Sequence, residues 1–206
     1  KGTPLTLVIY DQYPEVLVAA KKISPSSPIN GIVEFFNRWL FKYVTRVVVI
    51  GRDMKELVER KAKGLGVPIS VVPMWADVDE VWPEPREKNE FLRELKVEDK
   101  LVLLYSGNMG TTHDLESLYA AAKELVHENV HFIFAGSGAK RKWLDAAFAA
   151  EPLPNVTLMQ RQPIEKLNTL LNACDVALVT TVDRMFGVSV PSRAANVMAT
   201  GRPILA

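Results

Sequence analysis

Residues 101–110 read LVLLYSGNMG, an apolar run that ends in two glycines three positions apart. Similar apolar runs recur along the next hundred residues, and helical patterns separate them. Apolar strands that alternate with amphipathic helices predict βαβ units and therefore a parallel sheet. Helices cover both faces of such a sheet, so its strands are apolar throughout. The predicted strands are 101–106, 130–135, 156–160, 176–181 and 203–206, and the predicted helices are 114–128, 139–150, 164–173 and 191–200.

The first part of the chain repeats this pattern on a smaller scale, with predicted strands at 6–10, 46–51 and 69–73 and helices at 29–43 and 54–64. Three strands cannot bury both faces of a parallel sheet. The prediction is therefore an α/β protein that holds the late part of one domain at 1–76, a linker and leading helix at 77–98, and a second domain at 99–206. The second domain is expected to be incomplete at its C-terminus. The abrupt start at Lys1 and the end at Ala206 predict a piece of a longer polypeptide.

Composition limits the possible functions. The chain has 206 residues, 48% of them hydrophobic, which fits a packed globular core. The net charge of +1 gives no electrostatic argument for a nucleic-acid partner. Cys174 is the only cysteine, so a disulfide framework is excluded, and we expect it in the core of a protein from a reducing compartment, the cytoplasm. No apolar run reaches the length that spans a bilayer.

The predicted helix 29–43 carries an aromatic face that contains Phe35, Phe36, Trp39, Leu40 and Phe41. Glu34, Arg38 and Lys42 follow each other at i, i+4 spacing and predict a solvated charged face. Burial of the aromatic face against the sheet is the preferred interpretation. A peripheral membrane contact at the inner face of the membrane is the alternative.

Two glycine loops follow predicted strands, at 107–110 and at 136–138. Ligands of open α/β sheets bind outside the carboxyl ends of the strands, and backbone N–H groups at helix N-termini favour phosphate. A tight βα turn would give the same glycine spacing without a ligand. The candidate binding residues from this pattern are Gly107, Asn108, Met109, Gly110, Gly136, Gly138 and Arg161.

Other catalytic patterns are absent from the sequence. No metal-ligand spacing, nucleophile motif or phosphate-loop lysine occurs. His127 and His131 are interpreted as a helix-end cation and a surface residue. His113, which directly follows the first glycine loop, is the one histidine with a claim to function. Thr111 or Thr112 is expected to cap the following helix.

Seven stretches in order resemble the GT-B retaining glycosyltransferases known as glycosyl transferases group 1, or family 4. They include DQYPE at 11–15, VVVIGRDM at 47–54, VVPMWAD at 71–77 and YSGNMG at 105–110. They continue with FAGSG at 134–138, NVTL at 155–158, and VPSR at 190–193 with MATGRPI at 198–204. The resemblance covers nearly the full length, and it is closest to transferases that build bacterial polysaccharides on a lipid carrier.

This resemblance implies two Rossmann-like domains, with the acceptor on the first and a nucleotide-diphosphate sugar on the second. It implies transfer with retention, without a metal and without a cofactor other than the donor sugar, to a lipid-linked or saccharide acceptor. Ser192, Arg193 and Asn196 correspond to the family's PSK and Glu-x7-Glu region, and Arg193 is expected to carry the diphosphate charge. The catalytic residue is unknown and is expected upstream of Lys1, so residues 1–206 alone are expected to be inactive.

The chain departs from the family pattern at two points. Counted back from Gly201, the second Glu of Glu-x7-Glu is Asn196, and the first is Val188, or lies near Asp183 and Arg184 in an alternative alignment. The usual Arg and Lys after the first strand of the second domain are replaced by Asn108 and by residues around 112–114. Two alternatives to a transferase therefore stay open: an isomerase of the nucleotide-sugar 2-epimerase type, and a non-catalytic nucleotide-binding module.

Overall fold

The computed structural model describes residues 3–206, so the predicted start of the first domain at Lys1 lies outside the described residues. The chain forms two compact units. The first unit comprises the residues up to Met74 together with Thr181–Val190, and the second comprises Trp75–Thr180 and Pro191–Ala206. The predicted linker 77–98 groups with the second unit, as do Trp75 and Ala76, which the prediction gave to the first domain. Thr181–Val190 lies within the predicted second domain but groups with the first unit.

A three-stranded parallel sheet forms the first unit, in the order β1-β2-β3. Its elements are β1 (Thr6–Ile9), α1 (Glu15–Ala19), α2 (Pro28–Phe41), β2 (Arg46–Val49), α3 (Arg52–Lys61) and β3 (Ile69–Val71). Ser189 of the segment Thr181–Val190 makes an antiparallel bridge with Asp11. The Gln12 N–H donates to the Val188 carbonyl at 2.8 Å, which ties the same segment to the loop after β1.

Helix α2 buries only part of the face that the sequence interpretation favoured. Phe35 is 65% exposed and Trp39 is 51% exposed, so the predicted burial is wrong for this part of the aromatic face. It is confirmed for Phe41, which is buried in the core of the first unit, and Leu40 packs against the same core. The Glu34 carboxylate lies 2.8 Å from Lys61 Nζ instead. The Arg38 guanidinium donates to the Lys61 carbonyl at 2.6 Å. Glu34 is therefore half-buried beside α3, whereas Arg38 and Lys42 are exposed as predicted.

Lys61 is the polar centre of this packing, because its side chain is only 7% exposed. Its ammonium group lies 2.6 Å from Glu15 and donates to the Tyr13 carbonyl at 2.8 Å, in addition to the Glu34 contact. Three acceptors therefore match the three N–H donors of the ammonium. A buried charge with all donors satisfied is stable in place, whereas removal of one partner costs roughly 3–5 kcal/mol.

A five-stranded parallel sheet forms the second unit, in the order β6-β5-β4-β7-β8. Its elements are α4 (Glu90–Leu95), β4 (Leu101–Asn108), α5 (Leu115–Glu124), β5 (Val130–Ser137), α6 (Arg141–Ala150), β6 (Val156–Met159), α7 (Leu167–Asn172), β7 (Val176–Leu178), α8 (Arg193–Ala199) and β8 (Ile204–Leu205). Single 3₁₀ turns at Arg86–Lys88 and Ile164–Lys166 precede α4 and α7.

The central strands β4 and β5 bury side chains on both faces of the sheet. Val102 and Leu104 belong to one core cluster, together with Ile133 of β5. Tyr105 belongs to the second cluster, together with Phe134. Since successive side chains of a strand point to opposite faces, the two clusters lie on the two sides of the sheet. The expected α/β fold with helices on both faces is confirmed.

The predicted strands are all present, with boundaries that differ by three residues or fewer. β4 and β5 each run two residues further than predicted, to Asn108 and Ser137, because Gly107 pairs with Gly136 and the ladder continues past the glycines. Helix α1 was not predicted. Cys174 is fully buried as expected, just after α7, and burial raises the pKa of its thiol to about 12. The interpretation of His131 as a surface residue is wrong, because it is buried in β5 and its Nε2 lies 2.8 Å from Thr157 Oγ1.

The segment after Trp75 is fastened to α7 by asparagine side chains. The Asn172 side chain, which is fully buried, accepts from the Glu84 N–H at 2.8 Å and donates to the Trp82 carbonyl at 2.9 Å. Asn168 accepts from the Trp82 N–H at 2.9 Å. The Arg202 guanidinium adds a bond to the Glu84 carbonyl at 3.0 Å. The amides thus replace the strand partners that this extended segment lacks.

We expect Asn172→Ala to destabilise the second unit. The change leaves the Glu84 N–H and the Trp82 carbonyl without their partner, and a buried group left unpaired costs roughly 1–3 kcal/mol. The expected loss in the free energy of unfolding is about 2 kcal/mol. Urea denaturation followed by circular dichroism measures it.

The matched control is Asn129→Ala. Asn129 is exposed and donates one bond, to the Asp99 carbonyl at 2.8 Å. Its loss should cost about 1 kcal/mol or less. An equal decrease in the free energy of unfolding for the two variants would show that the contacts of Asn172 stabilise the unit no more than an exposed hydrogen bond does.

Candidate functional site

The site is built on the carboxyl ends of β4 and β5, where two glycines approach each other. Gly107 and Gly136 are paired across the ladder, with φ angles of +135° and +150°. A Cβ atom on Gly136 would lie 1.9 Å from the Gly107 carbonyl oxygen. No other residue type fits there, so glycine is required for the two strands to stay paired up to Asn108 and Ser137.

A cavity of about 570 Å³ opens beside this pair of strand ends. Backbone and small side chains form one wall, from Ser106, Gly107, Asn108, Ala135, Gly136 and Ser137. The segment after β6 forms the other wall, from Arg161, Gln162, Pro163, Ile164, Leu167 and Leu170. The combination of apolar side chains with a few polar groups, in a cavity of this size, is typical of a small-molecule site.

Arg193 lies at the start of α8, and its guanidinium is packed rather than solvated. The Cζ atom stands 4.5 Å from the centre of the Tyr105 ring, a cation–π contact. The position that a Cβ of Gly107 would occupy is 3.4 Å from the same Cζ atom, so the absent side chain makes room for the guanidinium. Nη2 donates to the Asn108 carbonyl at 3.2 Å, and Nη1 is buried without a hydrogen-bond partner.

His113 stands on the other side of this guanidinium. Its Nε2 is 2.8 Å from Arg193 Nη2, and its Nδ1 accepts from the Gly110 N–H at 3.2 Å. Burial, and next the positive charge of Arg193, lower the pKa of His113 to about 4. His113 is therefore neutral at pH 7 in the folded chain. Burial raises the pKa of Tyr105, so its hydroxyl is protonated and donates to the Asn108 carbonyl at 2.7 Å.

Two basic residues next to the second glycine loop hold the loops in place. The Lys140 ammonium lies 2.6 Å from the His113 carbonyl and 2.6 Å from Glu116. The Arg141 guanidinium donates to the Gly136 carbonyl at 2.9 Å and to the Met159 carbonyl at 2.6 Å. Protein acceptors thus engage both of these cations. Among the residues described, Arg193 is the cation at these strand ends that has a buried donor without a partner.

The predicted site residues fall into two groups. Those that line the cavity are Gly107, Asn108, Gly136 and Arg161. Those that do not line it are Met109, Gly110, Gly138, Ser192, Arg193 and Asn196. Met109 is fully buried in the core, and a Cβ on Gly138 would lie 2.6 Å from its carbonyl, so these two residues pack the loops together.

The remaining members of the second group lie along the start of α5 and α8. Ser192 precedes α8 and makes no side-chain cap, and Asn196 is half-buried further along the helix. Asp114, and not Thr111 or Thr112, caps α5 by accepting from the Ser117 N–H at 3.0 Å, so the expected threonine cap is wrong.

Sequence reasoning missed the apolar wall of the cavity and the partners of Arg193. Ile164, Leu167 and Leu170 have ordinary helical spacing, and nothing in that spacing distinguishes a cavity wall from a core face. In the sequence, Tyr105 resembles any other residue of an apolar strand. The one available signal is its position two residues before Gly107, which puts both residues on the same face of the strand. The ring then lies beside any side chain that fills the space over that glycine.

No group of three or more histidine, cysteine, aspartate or glutamate side chains that could hold a metal ion occurs within residues 3–206. Within the same residues, no helix has both the length and the apolar character needed to cross a bilayer. Transfer without a metal stays a prediction from the family resemblance.

A parallel sheet covered by helices on both faces, with glycine loops and a cavity at the carboxyl ends of its strands, has the architecture of a Rossmann-like domain. The family model for glycosyl transferases group 1 matches residues 87–206. The probable glycosyltransferase WbjE of Pseudomonas aeruginosa is 33% identical over 207 residues, an alignment that covers 100% of this chain and 51% of WbjE. The chain belongs to the glycosyl transferases group 1 family.

Solved structures agree in fold. Sucrose-phosphate synthase from Thermosynechococcus elongatus superimposes with a TM-score of 0.73 at 16% identity, over 97% of this chain and 49% of the synthase. Anabaena HepE, solved in complex with UDP and glucose, superimposes with a TM-score of 0.64 at 14% identity, over 98% of this chain and 52% of HepE. The GT-B assignment is confirmed. The chain spans about half the length of WbjE, at 51%.

Proposed function

We propose that this chain supplies the donor-binding part of a retaining glycosyltransferase, which transfers a sugar from a nucleotide-diphosphate sugar to a lipid-linked or saccharide acceptor. The observation that carries the proposal is the pairing of the 570 Å³ cavity with Arg193, whose buried Nη1 lacks a partner. The cavity offers an apolar wall and polar groups for a base and ribose. The guanidinium, packed against Gly107, offers the unpaired N–H donors of Nη1, which suit a phosphate oxygen.

The chemistry that follows from this arrangement is stabilisation of a leaving diphosphate. Charge develops on the phosphate oxygens as the bond to the sugar breaks, and fixed donors in a partly desolvated site stabilise it at little reorganisation cost. The positive Arg193 and the backbone N–H groups of the glycine loops would fill that role without a metal or a further cofactor. Retention rests on the family resemblance, and a product with the opposite anomeric configuration from the donor would contradict it.

The proposal is tested first by titration of the chain with UDP and GDP, beside uridine and guanosine. We expect one of the diphosphates to bind more tightly than its nucleoside by at least about 10-fold, because a hydrogen bond to a charged group contributes roughly 1.5–3 kcal/mol. Isothermal titration calorimetry measures both constants. Equal affinity for diphosphate and nucleoside, or no binding of either pair, would favour a module without a donor site.

We expect Arg193→Ala to weaken diphosphate binding by about 10- to 100-fold, since it removes the charged hydrogen bonds of the guanidinium. Nucleoside affinity should not change, because Arg193 does not line the cavity. Titration of the variant with diphosphate and nucleoside separates the two effects, and circular dichroism verifies the fold.

Lys142→Ala is the matched control, since Lys142 is exposed on α6 and its loss removes the same charge from the surface. A control variant that lost as much diphosphate affinity as Arg193→Ala would reduce the effect to general electrostatics. Unchanged affinity in Arg193→Ala would assign the guanidinium to packing alone.

We further propose that the first unit makes a peripheral membrane contact through an aromatic stripe on α2, defined by Ile32, Phe35, Phe36, Trp39 and Tyr43. All five side chains are more than half exposed. Tryptophan and tyrosine favour the membrane–water interface, and an apolar helix face beside Lys42 suits an anionic lipid surface. A lipid-linked acceptor would be reached at that surface, on the cytoplasmic side.

We expect the chain to co-sediment with vesicles that contain anionic phospholipid, and the double variant Phe35→Ser with Trp39→Ser to lose most of that binding. Phe186→Ser is the matched control, because Phe186 is 84% exposed but lies outside the stripe. If the chain does not bind vesicles, or if the two variants bind vesicles equally, the stripe is not a lipid contact and contacts a protein instead.

A further inference from the structure

The chain leaves the second unit after Thr180 and returns to it at Pro191. The residues between them, Thr181–Val190, belong to the first unit, and we call this segment the strap. In the sequence it lies between β7 and α8, the helix that begins at Arg193. A segment inserted in this way is either a loose loop or a fixed connection, and its contacts distinguish the two.

Backbone contacts hold the strap on the loop after β1. The Gln12 N–H donates to the Val188 carbonyl at 2.8 Å, and Ser189 makes an antiparallel bridge with Asp11. The Val188 N–H donates to the Met185 carbonyl at 3.0 Å, which closes a turn within the strap. The second half of the strap is therefore paired with the first unit as a short strand would be.

Two side chains of the strap are buried in the first unit. Met185 and Val188 belong to one core cluster together with Ala19. Val16 of α1 and Leu57 of α3 pack against the same cluster. The strap is thus anchored on two helices of the first unit by apolar side chains, and it is not a loose loop.

The backbone conformation of the strap agrees with these contacts. Arg184 and Gly187 both have a φ angle of +71°. A residue other than glycine keeps this left-handed conformation only where the surrounding structure imposes it. A Cβ atom on Gly187 would lie 3.3 Å from the Asp53 carbonyl oxygen, so the strap also approaches the start of α3 closely.

The connection from the strap to α8 is short. Val190, the last residue of the strap, packs against the core of the first unit. The three residue steps from Val190 to Arg193 span at most about 11 Å, even when the chain is fully extended. Pro191 stiffens this connection, because its ring fixes φ and restricts the residue before it. The start of α8 is therefore limited to a small region around an anchored residue.

We propose that Met185 and Val188 are positioning residues for Arg193. They anchor the strap on the first unit, the strap fixes the start of α8, and the start of α8 places the guanidinium on the Tyr105 ring. The distance of 4.5 Å between the Arg193 Cζ atom and the ring centre is the contact that responds to a displaced strap. The effect on a bound ligand rests on the function proposed above, whereas the position of the guanidinium does not.

The ¹⁵N NMR signal of the Arg193 Nε–H group reports this position, because the neighbouring Tyr105 ring shifts the signal. Its loss in Arg193→Lys assigns it. We expect Met185→Ala to move the signal toward that of solvent-exposed arginines, since a cavity replaces the main apolar anchor of the strap. Met185→Leu nearly conserves the side-chain volume and should leave the signal in place.

Val47→Ala is the matched control. Val47 is fully buried in the first unit, but it belongs to a different core cluster from Met185. Both alanine variants remove core volume from the same unit, and only Met185→Ala removes it from the anchor of the strap. An equal shift of the Arg193 signal in the two variants would mean general loosening of the unit and would overturn the inference.

Gly187→Ala tests the same role without a cavity, and so covers the case in which Met185→Ala unfolds the first unit. Its Cβ atom presses the strap away from Asp53, and the Arg193 signal should move. Gly66→Ala is its control, because Gly66 lies in the first unit with a φ angle of +68° and has open space around its Cβ position. Equal signals in the two glycine variants would contradict the positioning role.

The ligand gives a second measurement. We expect Met185→Ala to weaken diphosphate binding by about 3- to 10-fold, a part of the loss in Arg193→Ala, with nucleoside binding unchanged. An Arg193 signal that stays in place in Met185→Ala would overturn the inference and leave the proposed function intact. Absence of diphosphate binding in the unmodified chain would refute the proposed function, and the NMR comparison would still decide the positioning role.

Discussion

The site depends on the contact between two glycine backbones at the ends of β4 and β5. With the Gly136 Cβ position only 1.9 Å from the Gly107 carbonyl, any side chain would force the strands apart before they reach Asn108 and Ser137. The loops beyond are then held by backbone bonds, from the Met109 N–H to the Ser137 carbonyl at 2.8 Å and from the Lys140 N–H to the Met109 carbonyl at 2.9 Å. Cavity wall, Arg193 and His113 all take their positions from these few bonds.

The glycine loops also determine where positive charges lie. Three cations near the strand ends, Lys140, Arg141 and Arg193, are held by different contacts. Lys140 and Arg141 are neutralised by Glu116 and Asp145 and bond to loop carbonyls, so they act as fasteners. Arg193 has no carboxylate partner among the described salt bridges and rests on the Tyr105 ring over Gly107. Its positive charge is thus not neutralised by a carboxylate, and its Nη1 is buried without a hydrogen-bond partner.

Much of this sheet could be predicted from the sequence, because apolar β-branched runs separated by amphipathic stretches leave few alternative folds. The edge of the sheet at which the site lies could also be predicted, since the carboxyl ends of parallel strands meet at one edge. The separate positions of the cavity and of the Arg193 guanidinium could not be predicted. It depends on Gly107 having no side chain on the face where Arg193 lies, and on Tyr105 being beneath, whereas sequence spacing gives only that these residues are near the same edge.

Helix α2 shows a different limit of prediction. Its periodicity gives two faces correctly, and hydrophobicity then assigns the aromatic face to the interior. The structure departs from this assignment at Phe35, Phe36 and Trp39, because α3 ends at Lys61, whose buried ammonium requires acceptors that the aromatic face cannot offer. Glu34 pairs with that charge, and Arg38 donates to the Lys61 carbonyl while it stays exposed. The pairing of Lys61 has a large weight here, since an unpaired buried ion costs several kcal/mol. The aromatic stripe is therefore exposed on the outer side of α2, because the side of α2 towards α3 carries the groups that contact Lys61.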